Sequence, residues 1–306
     1  MTEASTPSHR YSTVFRPGLF VGQTIIVTGG GSGIGRCTAH ELAALGAHVV
    51  LLGRTLEKLE RTAAEIREDT AALGEHAGGV SFHGLDIRKE PDVTETVAAI
   101  IKERGRVHGL VNNAGGQFPA PLSAISQRGF ETVVRTNLVG GFLMAREVYN
   151  QSMEKHGGAI VNIVADMWRS MPGMGHSGAA RAGMVNFTQT AAVEWAHSGV
   201  RVNAIAPGWI ASSGLDTYSG AVRAMIPQLK KSVPIGRLGT EAEVASAICF
   251  LLCDAAAFIS GATLRVDGAA PNASLIWPIQ EPDEGKVQTY NGFHRAVAPK
   301  VLEPDE

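Results

Sequence analysis

The chain has 306 residues, 44% of them hydrophobic, and a formal net charge of -2. That is enough apolar material for one large core, and a balance so near neutrality leaves no electrostatic footprint for nucleic acid or an anionic membrane. No apolar run approaches the roughly 18 residues of a spanning helix, and the polar stretch through Arg10 lacks a signal-peptide core, so a cytoplasmic protein without nucleic-acid or membrane partners is expected.

After a polar N-terminal arm, 1–17, short β-branched runs alternate with longer amphipathic segments. A strand over 24–28 runs into Thr28-Gly29-Gly30-Gly31-Ser32-Gly33-Ile34-Gly35, which opens a helix over 33–45. A second strand, 47–52, ends at Gly53-Arg54-Thr55 and leads to a helix over 56–70. The third, 80–86, closes on Asp86-Ile87 before a helix over 90–104; the fourth, 109–112, leads into Asn113-Ala114-Gly115 and a long helix over 130–155. A fifth strand, 159–164, is followed by Ala165-Asp166, the run from His176 to Arg181 and a helix over 179–197; a sixth, 200–204, precedes Pro207-Gly208. Glycines and prolines then break up 210–234, a helix spans 241–253, and a last strand spans 263–266. This alternation predicts an α/β fold, a single Rossmann domain over 18–270 with a doubly wound, seven-stranded parallel sheet, whose ligands bind beyond the strand ends where strand order reverses.

The irregular 210–234 stretch directly follows a strand end, the place of a substrate lid. The extension 271–306 holds several prolines and few aliphatics, yet Leu275-Ile276-Trp277 and Phe293 are apolar enough to dock on a neighbouring subunit; disorder is the alternative. Cys37, Cys249 and Cys253 fall in helical or apolar patterns with no further metal ligands beside them, so they read as core residues in a reducing compartment, and no metal site is expected. Chain-terminal Pro304-Asp305-Glu306 is no peroxisomal address.

Phosphates need closely approaching backbone donors. The loop from Gly29 to Gly35, between a strand and a helix, supplies small residues there and aims N–H groups and the helix dipole at a pyrophosphate; Ser32, Gly33 and Ile34 fall in its centre. Where an acid would take the adenosine ribose hydroxyls, the chain carries Arg54, whose guanidinium suits a 2'-phosphate and stacks on adenine, so NADP is favoured over NAD.

These landmarks resemble the short-chain dehydrogenase/reductase superfamily over 18–268. The resemblance implies that Asp86 and Ile87 hold adenine, that Asn113, Ala114 and Gly115 form the adenine and sheet-stabilising motif, and that Pro207 and Gly208 make the nicotinamide-side turn. It also implies a homo-oligomer, a dimer or tetramer, built through the 130–155 and 179–197 helices. The superfamily's proton-handling serine, tyrosine and lysine are replaced here by Ala165, Ser177 and Arg181. A serine hydroxyl is a poor acid and arginine stays charged, so Arg181 binds ribose without entering a proton relay.

Hydride transfer to an activated carbon–carbon double bond needs no strong acid on oxygen, because donors need only stabilise the enolate. The runs His176-Ser177-Gly178-Ala179-Ala180-Arg181-Ala182-Gly183 and Gly115-Gly116-Gln117-Phe118, with the opening Pro17 to Gln23, look like the peroxisomal trans-2-enoyl-CoA reductase branch and its 2,4-dienoyl-CoA reductase relatives. By that resemblance Asn137 is the active-site asparagine and Arg181 the ribose-binding position. One departure is Val185, where the branch presents an ionisable or phenolic group, which leaves Asp166 and His176 to orient a water or give a proton. Met167, Trp168, Met171 and Met174 suit an apolar acyl channel. The expectation is an NADPH-dependent reductase of an enoyl- or dienoyl-CoA thioester; a dehydrogenase of a branched or terpenoid alcohol or aldehyde, or a non-catalytic NADP-binding module, are the alternatives.

Overall fold

Seven parallel strands pair in the order β3-β2-β1-β4-β5-β6-β7 in a computed structural model that describes residues 10–273, 278–281 and 286–303. They are β1 Thr24–Thr28, β2 His48–Gly53, β3 Val80–Gly84, β4 Gly109–Asn112, β5 Gly158–Ile163, β6 Val200–Pro207 and β7 Thr263–Val266. Register runs straight through the centre, with Val27 beside Val111 and Val111 beside Val161. Strand order reverses between β1 and β4, which opens the crevice beyond their carboxyl ends.

Side chains alternate across a strand, and β1 shows what that does for the core. Ile25 and Val27 face a layer containing Leu42, Ile66 and Ile248, while Ile26 faces the opposite layer with Val97, Leu143 and Val148. The helices that supply these layers are α1 Gly33–Ala44, α2 Leu56–Thr70, α3 Glu90–Arg104, α4 Gln127–Val134, α5 Gly140–Val148, α6 Glu154–His156, α7 Gly175–Glu194, α8 Gly220–Met225 and α9 Glu241–Leu252. A capping box starts α9: Thr240 Oγ1 accepts the Glu243 N–H, and the Glu243 carboxylate accepts that of Thr240.

The helix expected over 130–155 is a longer run, 127–156, broken twice by π turns at Arg135–Val139 and Tyr149–Met153. Strand β6 continues past 204 to Pro207, and α7 begins at Gly175 rather than at 179. All three cysteines are buried.

The described part of the C-terminal extension packs on its own domain. Phe293 is buried against Tyr11, with ring centroids 5.8 Å apart, and against His40 at 4.9 Å, with the Arg36 guanidinium 5.0 Å over its face. Next to it Arg295 grips Asp69 at 2.6 Å, and Ser12 N–H donates to the Gly292 carbonyl at 2.8 Å, so arm and extension meet. Further on, the backbone N–H groups of Lys300 and Val301 donate to the Asp216 carboxylate at 3.2 and 3.1 Å. Val301 is buried with Leu215 and Ile226 of the 210–234 stretch. The expected docking residues Leu275, Ile276 and Trp277 lie outside the described residues.

Candidate active site

At the switch point lies a cavity of about 250 Å³, lined by Gly29, Gly31, Ser32, Arg54, Asp86, Ile87, Asn113, Ala114 and Gly115, with Lys58 and Thr136 beside them. Its floor is built by absence of side chains. A Cβ on Gly29, which sits at φ +68, would come within 2.9 Å of Asn113 Nδ2, and one on Gly31 within 2.9 Å of Lys58 Cβ. Gly35 faces helix-to-strand packing, where a Cβ would overlap the Gly29 carbonyl. Ser32 caps α1 from extended backbone with no side-chain cap bond, and the first turn, Gly33 and Ile34 included, carries no acid. This helix start can therefore receive an anion.

Asn113 locks the loop. Its Nδ2 donates to the Thr28 carbonyl at 3.0 Å, while Thr28 Oγ1 accepts the N–H groups of Asn113 and Ala114 at 3.0 and 2.9 Å. Asp86 is held by Arg88 at 2.6 Å, and that guanidinium lowers its carboxyl pKa to about 2. A nicotinamide dinucleotide fits such a cradle: small-residue turn, uncapped helix start, and cations Arg54 and Lys58 at the adenosine end.

The reactive half gathers Asn137, His176, Ser177 and Arg181 under the segment Gly115 to Phe118. Asn137 stands in the π turn, a distortion that often re-aims a functional side chain. Its Oδ1 accepts the Gly116 N–H and its Nδ2 donates to the Gly116 carbonyl, both at 2.9 Å. Arg181 is partly buried; burial lowers its pKa to about 10, so it stays charged at neutral pH. Its Nη1 donates to the Ile163 carbonyl at 2.5 Å, and its Nε has no partner among the described residues. A guanidinium with one hydrogen bond among the described residues keeps N–H groups for a ligand oxygen, which suits ribose hydroxyls. A Cβ on Gly115 would lie 2.5 Å from Arg181 Nη2, so the loop is glycine where the guanidinium presses on it.

Ser177 Oγ donates to Gln117 Oε1 at 2.7 Å. The ring of His176 is buried edge-on to Phe118, centroids 4.5 Å apart, and its Nδ1 accepts the Ser177 N–H at 2.8 Å, which puts any single ring proton on the unpartnered Nε2.

Asp166 belongs to a second group. Its N–H donates to the Pro207 carbonyl at 3.2 Å, and burial, then the nearby Asp267, raise its carboxyl pKa. Gly208 closes that group: a Cβ there would fall 2.8 Å from Asp267 Cα. No hydrogen bond joins Asp166 to Ser177 or Arg181 among the described residues. A mostly apolar cavity of about 480 Å³ is lined by Leu122, Met167, Trp168, Met171 and, on α7, Gly178 and Ala182. That is a volume usual for a small-molecule site. Met174 instead precedes α7, where its carbonyl accepts the Gly178 N–H.

Sequence reasoning missed Lys58, Gln117 and Tyr218. Lys58 had a signal, since it lies four residues past Arg54 in the first turn of α2. Gln117 stands in the 115–118 run that carries the resemblance, but its partner Tyr218, joined to it at 2.9 Å, lies far off in the chain and had no signal.

A parallel sheet of this order with a dinucleotide cradle at its switch point defines a Rossmann-type nicotinamide oxidoreductase. The family model described as enoyl-(acyl carrier protein) reductase matches residues 29–269, and the chain belongs to that family of short-chain dehydrogenases/reductases. It is 35% identical to a peroxisomal 2,4-dienoyl-CoA reductase of Danio rerio, covering 86% of each chain. With a probable 2,4-dienoyl-CoA reductase of Bacillus subtilis it shares 36%, over 80% of this chain and 95% of the other. Among solved structures, a citronellol catabolism dehydrogenase of Pseudomonas aeruginosa is 66% identical, covering 85% of this chain and 99% of that one, with a TM-score of 0.75.

Proposed function

We propose that this protein reduces the carbon–carbon double bond of an enoyl-CoA or dienoyl-CoA thioester with NADPH. The observation that carries the reading is the pair of buried Ser177 and partly buried Arg181 on α7, a site with a fixed charge for ribose but no phenol–ammonium couple to exchange a proton with an alkoxide. Relatives named as dienoyl-CoA reductases support it. Bound NADPH would supply the hydride. Arg54 and Lys58 would hold the 2'-phosphate, Ser32 with the α1 N–H groups the pyrophosphate, and Arg181 the ribose. Asn137 keeps Gly116 and its loop in place over the site, and the cavity beside Met167 and Trp168 would take the acyl chain.

The citronellol catabolism dehydrogenase, at 66% identity, favours a second reading, oxidation of a branched terpenoid alcohol in the same cavity. One assay separates them. Purified protein is given NADPH with a panel of trans-2-enoyl- and 2,4-dienoyl-CoA esters, and NADP with citronellol and geraniol. Thioester-dependent loss of NADPH is expected; turnover of alcohols alone would sink the first reading. Self-association through α4, α5 and α7 belongs to the same proposal, supported by the outward-facing Phe130, Val139, Phe142 and Val193, and sedimentation tests it.

A further inference from the structure

The group under the Gly115 to Phe118 segment presents few donors outward: the His176 Nε2 and Arg181 Nε, unpartnered among the described residues, are closed off from solvent. The hydroxyl proton of Ser177 is spent on Gln117 Oε1, and both amide atoms of Asn137 are spent on Gly116. Arg181 is committed to the Ile163 carbonyl and, on the reading above, to ribose. A thioester that gains negative charge on oxygen needs a hydrogen-bond donor, and none of these three offers one freely.

The lid brings one. Gln117 Nε2 donates to Tyr218 Oη at 2.9 Å, so a continuous line runs from Ser177 through Gln117 to the phenol. Because Tyr218 Oη accepts in that bond, its own proton is left over, with no acceptor among the described residues. The ring is half-buried against the cluster of Leu215, Ile226 and Val301, and two residues earlier Asp216 is fastened by the N–H groups of Lys300 and Val301. The phenol is thus placed by packing on one side and by Gln117 on the other.

We propose that Tyr218 is a catalytic residue, a lid-borne phenol that donates a hydrogen bond to the thioester oxygen of the substrate. This rests on the thioester reading of the site. As a C–H bond forms at the β-carbon, the alkene π pair moves between the α-carbon and the carbonyl carbon, and the carbonyl π pair moves to oxygen. The Tyr218 proton stays on the phenol and stabilises that oxygen; the α-carbon takes its proton from water. Its partner is a neutral amide rather than an ammonium, an arrangement for giving a hydrogen bond, not for acting as a base.

The test compares wild type, Tyr218→Phe and Gln117→Leu on the thioester and alcohol panels, with NADPH affinity and melting temperature measured alongside. Phenylalanine keeps the ring, so lid packing, melting temperature and NADPH affinity should hold while kcat on the thioester falls about 100- to 1000-fold, the usual cost of one oxyanion donor. Binding of the saturated acyl-CoA should weaken far less than kcat falls, since the donor serves the enolate more than the ground state. Gln117→Leu, which frees the phenol without removing it, should lose less. Equal kcat for Tyr218→Phe and wild type on thioesters overturns the assignment. If wild type turns over alcohols only, the thioester reading has failed, and Tyr218 as donor stands or falls on the same comparison made with the alcohol. If wild type turns over neither class, both are overturned.

Discussion

Asn137 and Gly116 exchange two hydrogen bonds of 2.9 Å each, a side-chain amide paired with a backbone peptide as if it were a strand neighbour. The pairing fixes the loop that covers Arg181, so its loss should be felt by the reaction more than by the fold. For Asn137→Ala we expect NADPH affinity near that of wild type, protease cleavage between 113 and 120, and a kcat reduced by about tenfold or more, a barrier change of ~1.4 kcal/mol or above. Stopped-flow reduction and limited proteolysis check both halves; an unchanged kcat would make the pairing structural only.

Cofactor choice should follow the two cations at the adenosine end. Arg54→Asp is expected to move preference from NADPH toward NADH, because a carboxylate repels the 2'-phosphate and accepts ribose hydroxyls. Lys58→Ala should weaken NADPH with little effect on NADH. Measured kcat/KM for both cofactors decides, and an unaltered ratio in Arg54→Asp would make that residue a bystander.

Glu41 lies wholly buried on α1, where Tyr11 and Thr13 donate to it at 3.1 and 3.0 Å. Burial raises its pKa from 4.5 to about 7. Here the folded state holds the proton more tightly than the unfolded chain, so stability is lost as pH rises from 4.5 toward 7. Glu41→Gln cannot ionise, and its melting temperature relative to wild type should climb across that window and level off above it. Scanning calorimetry on both proteins reads the difference, which cancels other titrating groups; a flat difference would show that Glu41 ionises as it does in water.

Phe293 fills the space between Tyr11, His40 and the Arg36 guanidinium. Phe293→Ala should cost about 3–5 kcal/mol, the range for emptying a buried aromatic site. A milder change, a chain ending at Ala298, keeps Phe293 but removes the N–H donors to Asp216 and the Val301 side chain. It should keep its core stability and NADPH affinity while KM for the substrate rises and the 210–234 stretch becomes open to protease. Unchanged KM would separate the extension from substrate binding.

Much of this was legible in the sequence where local chemistry decides. β1, β4 and β7 match their expected limits because short β-branched runs end at glycine, asparagine or aspartate. The glycine cradle and Arg54 stand out by type and spacing, whereas Asp86 and Arg181 are marked only by resemblance to the superfamily. The π turn under Asn137 does not, because an extra residue in a helix leaves no mark on an apolar pattern that already shifts by one. β6 was cut short since Ile205-Ala206-Pro207 reads as readily as loop. Nothing local could pair Gln117 with Tyr218, or send Phe293 back to Tyr11, because such contacts are paid for by tertiary packing alone.

Val301 is synthesised long after Asp216, and this fixes the order in which a nascent chain can mature. A ribosome-bound intermediate can complete its sheet while the 210–234 stretch still lacks its fastening. On the proposed function, nucleotide gripping would then arrive before substrate discrimination during biosynthesis, and any fusion that strains the far end of the polypeptide would be read out in the 210–234 stretch.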